Sequence, residues 1–447
     1  MDSLDLTKHY TVVGLGSTGR SVVRFLRARG AVLNAVDASD WEGRSAALDD
    51  EFPGLNFDLG EPDVACLDST DVLVVSPGVP RESMLVREAR SRGLEIIGDI
   101  EIFARVANAP VVAVTGTNGK STVVSMLDAC GAASELRVAT GGNLGTPALD
   151  LLAQDVELYV LELSSYQLET THSLAPMAAA LLNVTPDHLD RYPGGFDDYL
   201  AAKHRVFRGA THCVVEAGNP LVRPVLPDAT QHWVTVNTTV VGEGGVKLVA
   251  HEGATWIAFG DEPVVDIESI AAPGEHNLTN ACFVVALAHL AKLPHAAISA
   301  GLSAFAGLPH RTEPVREVDG VRFINDSKGT NVGATCVALE STVGPTVLIA
   351  GGVGKAQDFS PLAGALAAHG RALVVFGRDA QSIAGAVEDT VPVHHASTLD
   401  DAVRAAHQIA KSGDAVLFSP ACSSFDMFRN FEERGNAFRQ SVEALAS

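Results

Sequence analysis

The chain lacks paired cysteines, long apolar runs and a surplus of positive charge, and each absence removes a class of protein. Its six cysteines (Cys66, Cys130, Cys213, Cys282, Cys336 and Cys422) stand far apart with no C-x-x-C pair. Neither a zinc knuckle nor a disulfide framework is therefore expected. No stretch approaches the roughly 18 apolar residues that a membrane helix needs, so membrane insertion is not expected. Lys and Arg number 32 against 54 Asp and Glu, a formal net charge of −22. A nucleic-acid or anionic-membrane partner would want a basic face, so neither is expected, and anionic ligands must be held by local cations and helix N-termini. Met1 to Asp5 shows no basic or apolar leader, and the expected home is a reducing cytoplasm. No low-complexity segment or short-period repeat appears. What is present, 47% hydrophobic and 19% charged residues over 447 positions, is a globular composition long enough for two or three domains.

The most informative stretch is Val111 to Val124, Val-Val-Ala-Val-Thr-Gly-Thr-Asn-Gly-Lys-Ser-Thr-Val-Val. A β-branched run ends in a Gly-rich turn, and Lys-Ser-Thr opens a helical pattern. Such a loop turns backbone N–H groups inward, and the helix dipole adds partial positive charge. Gly116, Thr117, Asn118, Gly119, Lys120, Ser121 and Thr122 thus read as a triphosphate cradle. Lys120 is suited to a terminal phosphate, and Ser121 or Thr122 to a Mg²⁺ ion. Val114 stands where the usual pattern has its first glycine, so this is a tighter variant.

Residues 10 to 37 read as a β-α-β unit with Gly14-x-Gly16-x-x-Gly19 after the first strand and Asp37 ending the second, a nucleotide-diphosphate signature that is weak alone. Further along, Leu158 to Ser165 is a strand with Glu162 inside an apolar run, where an ionised carboxylate needs a metal or a cationic partner. His188 follows a strand end within Asp187-His-x-Asp190. Lys203 lies on a helix, where a solvated face is the plain alternative. Asn277 and Asn280 precede an apolar helix, as N-caps or as nucleotide contacts. The last third places Asn325-Asp-Ser-Lys-Gly-Thr-Asn331, Gly351-Gly-Val-Gly-Lys355 and Ser419-Pro-Ala-Cys-Ser-Ser424 after successive strands, together a candidate carboxylate site built on Lys328 and Lys355. The alternation of strands and helices predicts three α/β domains with parallel sheets: a Rossmann-like sheet in 1–97, a P-loop ATPase-type sheet in 98–307 and a second Rossmann-like sheet in 308–447.

The set Gly116-Thr-Asn-Gly-Lys-Ser-Thr, Glu162-Leu-Ser-Ser-Tyr-Gln-Leu-Glu, Asn183-Val-Thr-Pro-Asp-His-Leu-Asp-Arg, Gly274-Glu-His-Asn, Gly307-Leu-Pro-His-Arg and Asn325-Asp-Ser-Lys resembles the Mur ligase family, from about Thr11 to Gly435. The Gly-x-Gly-x-x-Gly domain and the ending from Ser419 to Gly435 are most similar to members that join D-glutamate to UDP-N-acetylmuramoyl-L-alanine in peptidoglycan synthesis. Gly329 and Val353 stand where these members usually have Ala and Asp.

That resemblance implies an ATP-dependent amide ligase working through an acyl phosphate. It implies that Lys120 holds the β- and γ-phosphates, that Ser121 and Glu162 bind one Mg²⁺, and that His188 and a carbamylated Lys203 serve a second. Asn277, Arg311 and Asp326 are implied to contact ATP. Lys328, Thr330, Lys355, Ser424 and Phe431 would form the glutamate site, and Ser17, Thr18, Asp37, Gly78 and Asn143 the UDP-sugar site. A monomer is expected. Three rivals stay open: a sister ligase adding another amino acid or polyglutamate, a nicotinamide oxidoreductase built on the first glycine motif, and a nucleotide switch without synthetic activity.

Overall fold

A computed structural model describes residues 4–40, 43–223, 230–238, 245–272, 274–355 and 357–445. The first three residues of the stretch read for a leader lie outside the described residues, as do 224–229 and 239–244.

Three sheets carry the α/β architecture. The first holds β1 (His9–Val13), β2 (Val32–Asp37), β3 (Asn56–Leu59), β4 (Val72–Val75) and β5 (Glu95–Ile97) in the order β3-β2-β1-β4-β5, all pairs parallel. The second holds β6 (Val111–Thr115), β7 (Val138–Gly142), β8 (Leu158–Glu162), β9 (Ala178–Leu181), β10 (His212–Glu216), β11 (His232–Val236), β12 (Val246–His251), β13 (Ala254–Phe259) and β14 (Glu262–Asp266) in the order β14-β13-β12-β11-β10-β9-β6-β8-β7. The third holds β15 (Glu313–Val318), β16 (Val321–Asn325), β17 (Thr346–Gly351), β18 (Gly370–Phe376), β19 (Val393–His395) and β20 (Ala415–Phe418) in the order β15-β16-β20-β17-β18-β19.

The strands at the sheet centres are near-continuous Val, Ile, Leu and Ala because helices cover both faces. In the third sheet Val347, Ile349, Val416 and Phe418 face one core, and their neighbours Leu348, Ala350, Ala415 and Leu417 face the other.

The strands named from the sequence in the third sheet pair in parallel as expected, and two edges outside that reading are antiparallel. β12, β13 and β14 form an antiparallel meander, and β15 runs antiparallel to β16. Tight turns such as Glu252-Gly253 and Asp319-Gly320, with residues at positive φ, return the chain directly where a parallel crossover would need a helix. A helix follows β4 from Met84 to Ser91. The helix expected from Ala281 begins at Glu275, so Asn277 and Asn280 lie inside it and are not its caps.

By internal packing the chain gathers into two compact units. One comprises Met1–Val184, Asp197–Ile270 and Thr279–Phe305; the other comprises Thr185–Phe196, Ala271–Leu278 and Ala306–Ser447. Within the first, the first sheet's helix Ser17–Ala28 is tied to Asp150 through Ser21 Oγ (2.7 Å) and Arg24 (2.8 Å). No helix among the described residues is long and apolar enough to cross a membrane.

Candidate active site

The phosphate loop is built by β6, whose five residues are all buried, running into Gly116. Gly119 adopts the left-handed conformation (φ 83°) as N-cap of the helix Lys120–Ala132, which suits glycine. A Cβ there would also meet Asn280 Oδ1 at 2.8 Å. The loop therefore ends against the first turn of a helix, the arrangement that favours an anion.

Two lysines converge on one carbonyl. Lys120 Nζ donates to Gly116 O and Thr117 O, each at 2.9 Å, and Lys203 Nζ donates to Gly116 O at 2.7 Å. Lys203 is 2% exposed and lies over the Tyr199 ring, so the solvated-face alternative is excluded. Glu162, at the end of β8, is also 2% exposed. It accepts from Ser121 Oγ (2.6 Å) and Asn143 Nδ2 (2.6 Å). A buried carboxylate oxygen paired with a hydroxyl at a phosphate loop is the donor chemistry a hard divalent cation takes. Among the described residues no three His, Cys, Asp or Glu side chains converge as a metal group.

Two residues outside the expected set also shape this loop. Asn183 accepts from Asn118 N (2.9 Å) and donates to Asn118 O (3.2 Å), and the Tyr199 hydroxyl meets Thr117 Oγ1 at 3.0 Å. Asn183 opens one of the quoted motifs at a strand exit, and that position was a usable signal; Tyr199 had none.

Beside the first sheet lies a cavity of about 590 Å³ lined by Ser17, Thr18, Asp37, Gly78 and Asn143, all expected there, and by Gln167, which was not. Gly14 and Gly19 shape its rim: a Cβ on Gly19 would fall 1.8 Å from Gly14 O. Asp37 accepts from Leu15 N (2.5 Å), Ser39 N (2.8 Å) and Arg44 (2.6 Å). Gln167 closes a capping box with Ser164 on the helix Ser165–Glu169 and donates to Asp99 at 3.0 Å. Burial pushes the Asp99 carboxyl up to about 6 against these hydrogen bonds.

Thr122 follows Ser121 in the helix Lys120–Ala132, and the remaining expected residues belong to the other unit. There His188, at φ 53°, follows Asp187, which receives Lys355 Nζ at 3.3 Å and Asn331 Nδ2 at 3.3 Å. Lys328 Nζ lies 3.8 Å from the Phe431 ring centroid, and Thr330 N donates to Lys328 O at 2.8 Å. Ser424 is buried. Burial pushes Asp326 up to about 6, opposed first by its bond from Ser419 Oγ and then by Thr312 N and the Arg311 charge. A Cβ on Gly329 would lie 2.5 Å from both Asp326 Oδ2 and Ser419 Oγ, so glycine leaves room for that bond. Val353, the other departure, pairs by backbone with Ser423. Asn277 N donates to Gly274 O, just ahead of its helix, at 3.0 Å.

Three family descriptions match in succession: the Mur ligase MurD-like N-terminal domain over residues 8–98, the Mur ligase middle domain over 114–288 and the Mur ligase glutamate ligase domain over 310–422. The chain is 45% identical over 449 residues to the UDP-N-acetylmuramoylalanine–D-glutamate ligase of Pseudomonas aeruginosa, covering 99% of this chain and 100% of that one. It is 45% identical over 443 residues to that of Nitrosococcus oceani, covering 98% and 96%. Among solved structures, UDP-N-acetylmuramate-alanine ligase from Thermotoga maritima aligns with TM-score 0.61 at 17% identity over 98% of this chain and 99% of that one. MurF from Acinetobacter baumannii aligns with TM-score 0.56 at 17% identity over 96% and 90%. At that identity the structural matches speak for the fold alone.

Proposed function

The chain belongs to the Mur ligase family, and on that premise we propose that it joins D-glutamate to UDP-N-acetylmuramoyl-L-alanine with ATP, releasing ADP and phosphate, in the cytoplasm. The observation that carries this reading is the Ser121–Glu162 pair at 2.6 Å on the phosphate loop, in a chain with a separate cavity of about 590 Å³ on its first sheet. A nicotinamide oxidoreductase would leave the loop and Glu162 without a task.

A free carboxylate is a poor acylating agent, and phosphorylation makes one of its oxygens a good leaving group. The substrate's alanyl carboxylate attacks the γ-phosphorus and ADP leaves. The glutamate amine then attacks the acyl carbon, loses a proton, and phosphate departs with the former carboxylate oxygen. The demand on the protein is to gather negative charge in the right order. Lys120 turns from the Gly116 and Thr117 carbonyls to the β- and γ-phosphates. The loop N–H groups and the helix N-terminus hold the phosphate oxygens, and Asn183 keeps Asn118 in place. Ser121 and Glu162 would hold Mg²⁺, and His188 with Lys203 a second ion; magnesium supplies charge neutralisation of the transferring phosphoryl group. Carbamylation would give Lys203 the oxygen donors that a free amine lacks. Ser17, Thr18, Asp37, Gly78 and Asn143 hold the UDP-sugar. Asn277, Arg311 and Asp326 contact ATP, and Lys328, Thr330, Lys355, Ser424 and Phe431 take glutamate. Domain limits at 97/98 and 307/308 go with this assignment, as does a monomeric state.

A phosphate-release assay with ATP, Mg²⁺ and UDP-N-acetylmuramoyl-L-alanine, run over a panel of amino acids, tests the reading. Release with D-glutamate and not with L-glutamate is expected. Release with another amino acid would move the chain to a sister activity, and release without any amino acid would favour a nucleotide switch.

A further inference from the structure

Arg434 lies on the helix Phe431–Glu443, is 1% exposed and is the bulkiest fully buried side chain among the described residues. A guanidinium out of water is expensive unless its donors are satisfied, yet none of its hydrogen bonds goes to a carboxylate. Nε donates to Ser327 Oγ (3.1 Å), NH2 to Ser327 O (2.7 Å) and NH1 to Cys422 O (2.9 Å). Ser327 Oγ donates in turn to Phe431 O at 2.9 Å. Burial pushes the guanidinium down to about 10, which leaves it charged at neutral pH.

These partners are not scattered. Ser327 immediately precedes Lys328, Cys422 stands two residues before Ser424, and Phe431 is joined through Ser327. One planar fork therefore ties together the loop after β16, the loop after β20 and the start of the helix Phe431–Glu443. Those three segments carry Lys328, Ser424 and Phe431. A lysine in its place has no planar fork and no second nitrogen to span Ser327 and Cys422.

We infer that Arg434 is a positioning residue for the amino-acid substrate: it fixes the three segments that present Lys328, Ser424 and Phe431, and so sets affinity for the incoming dicarboxylic amino acid. The inference rests on the assignment of those three residues to glutamate. The test compares wild type, Arg434→Lys and Ser327→Ala by steady-state phosphate release, with KM measured separately for D-glutamate, ATP and UDP-N-acetylmuramoyl-L-alanine. Arg434→Lys should raise the glutamate KM about tenfold or more, equivalent to ~1.4 kcal/mol, while the other two KM values change by less than about twofold. Ser327→Ala, which removes one partner and the link to Phe431, should move the glutamate KM the same way by a smaller factor, and it keeps the test alive if Arg434→Lys fails to fold. A fall in kcat or melting temperature with all three KM values unchanged would mean Arg434 is only structural and would overturn the inference. Wild type that releases no phosphate in response to any amino acid would instead overturn the underlying reading.

Discussion

Lys203 and Asp99 show how burial turns an ordinary side chain into a demanding one. Lys203 is held on Gly116 O at 2.7 Å with almost no exposure, so replacing it removes a group that solvent does not substitute. Lys203→Ala should lose most phosphate-release activity, and added short-chain carboxylates should restore part of it; full activity without them would contradict the carbamate role. Glu162→Gln keeps the shape but not the charge, and should lower kcat by roughly 10²-fold or more if the carboxylate serves the phosphoryl step. A variant with wild-type turnover would remove Glu162 from the site. Asp99 gives a stability prediction. Burial raises its carboxyl from 3.8 to about 6, so its protonated form fits the fold better than its charged form. A raised acid is no burden below pH ~4, takes stability away progressively between pH ~4 and ~6, and costs roughly 3 kcal/mol once fully charged above that. Asp99→Asn should therefore melt higher than wild type at pH 7–8, with the advantage fading towards pH 4. An advantage independent of pH would contradict this.

Among the elements, the glycine turns decide most. Gly19 sits where any Cβ would overlap Gly14 O at 1.8 Å. Gly19→Ala must push the helix Ser17–Ala28 off the loop, at a cost of about 1–3 kcal/mol, and it should weaken binding of the UDP-sugar, measured by calorimetry, more than binding of ATP. Equal loss for both ligands would count against a local effect. The same elements show what was legible beforehand. β6, Gly116, Gly119 and Lys120 were readable because turn chemistry and a buried β-branched run follow from local sequence. Glu162 was readable because a charge inside an apolar strand needs a partner. Asn277 and Asn280 were open to two readings, cap or nucleotide contact, and the helix start at Glu275 removes the first. The β12–β14 meander and β15 carry no chemical motif, and their direction depends on short turns more than on composition. Tyr199 and Arg434 act through contacts distant in sequence, with Thr117 and with Ser327, the latter 107 positions away, and local pattern does not disclose those contacts.

For the whole molecule the governing fact is charge. A chain of net −22 whose proposed ligands are a triphosphate, a nucleotide sugar and a dicarboxylic amino acid must offset repulsion locally, and the cations proposed for that task are Lys120, Lys328, Lys355 and divalent ions, with helix N-termini beside them. Chelation of divalent cations with EDTA should abolish phosphate release and Mg²⁺ should restore it; undiminished turnover in EDTA would contradict the metal assignment. The central claim is that the substrate's carboxylate is phosphorylated before the amide forms, and isotope transfer tests it most directly. UDP-N-acetylmuramoyl-L-alanine labelled with oxygen-18 in its alanyl carboxylate is turned over with ATP and D-glutamate, and the released phosphate is analysed by mass spectrometry. One labelled oxygen in each phosphate is the predicted result, and unlabelled phosphate formed alongside the amide product would contradict it.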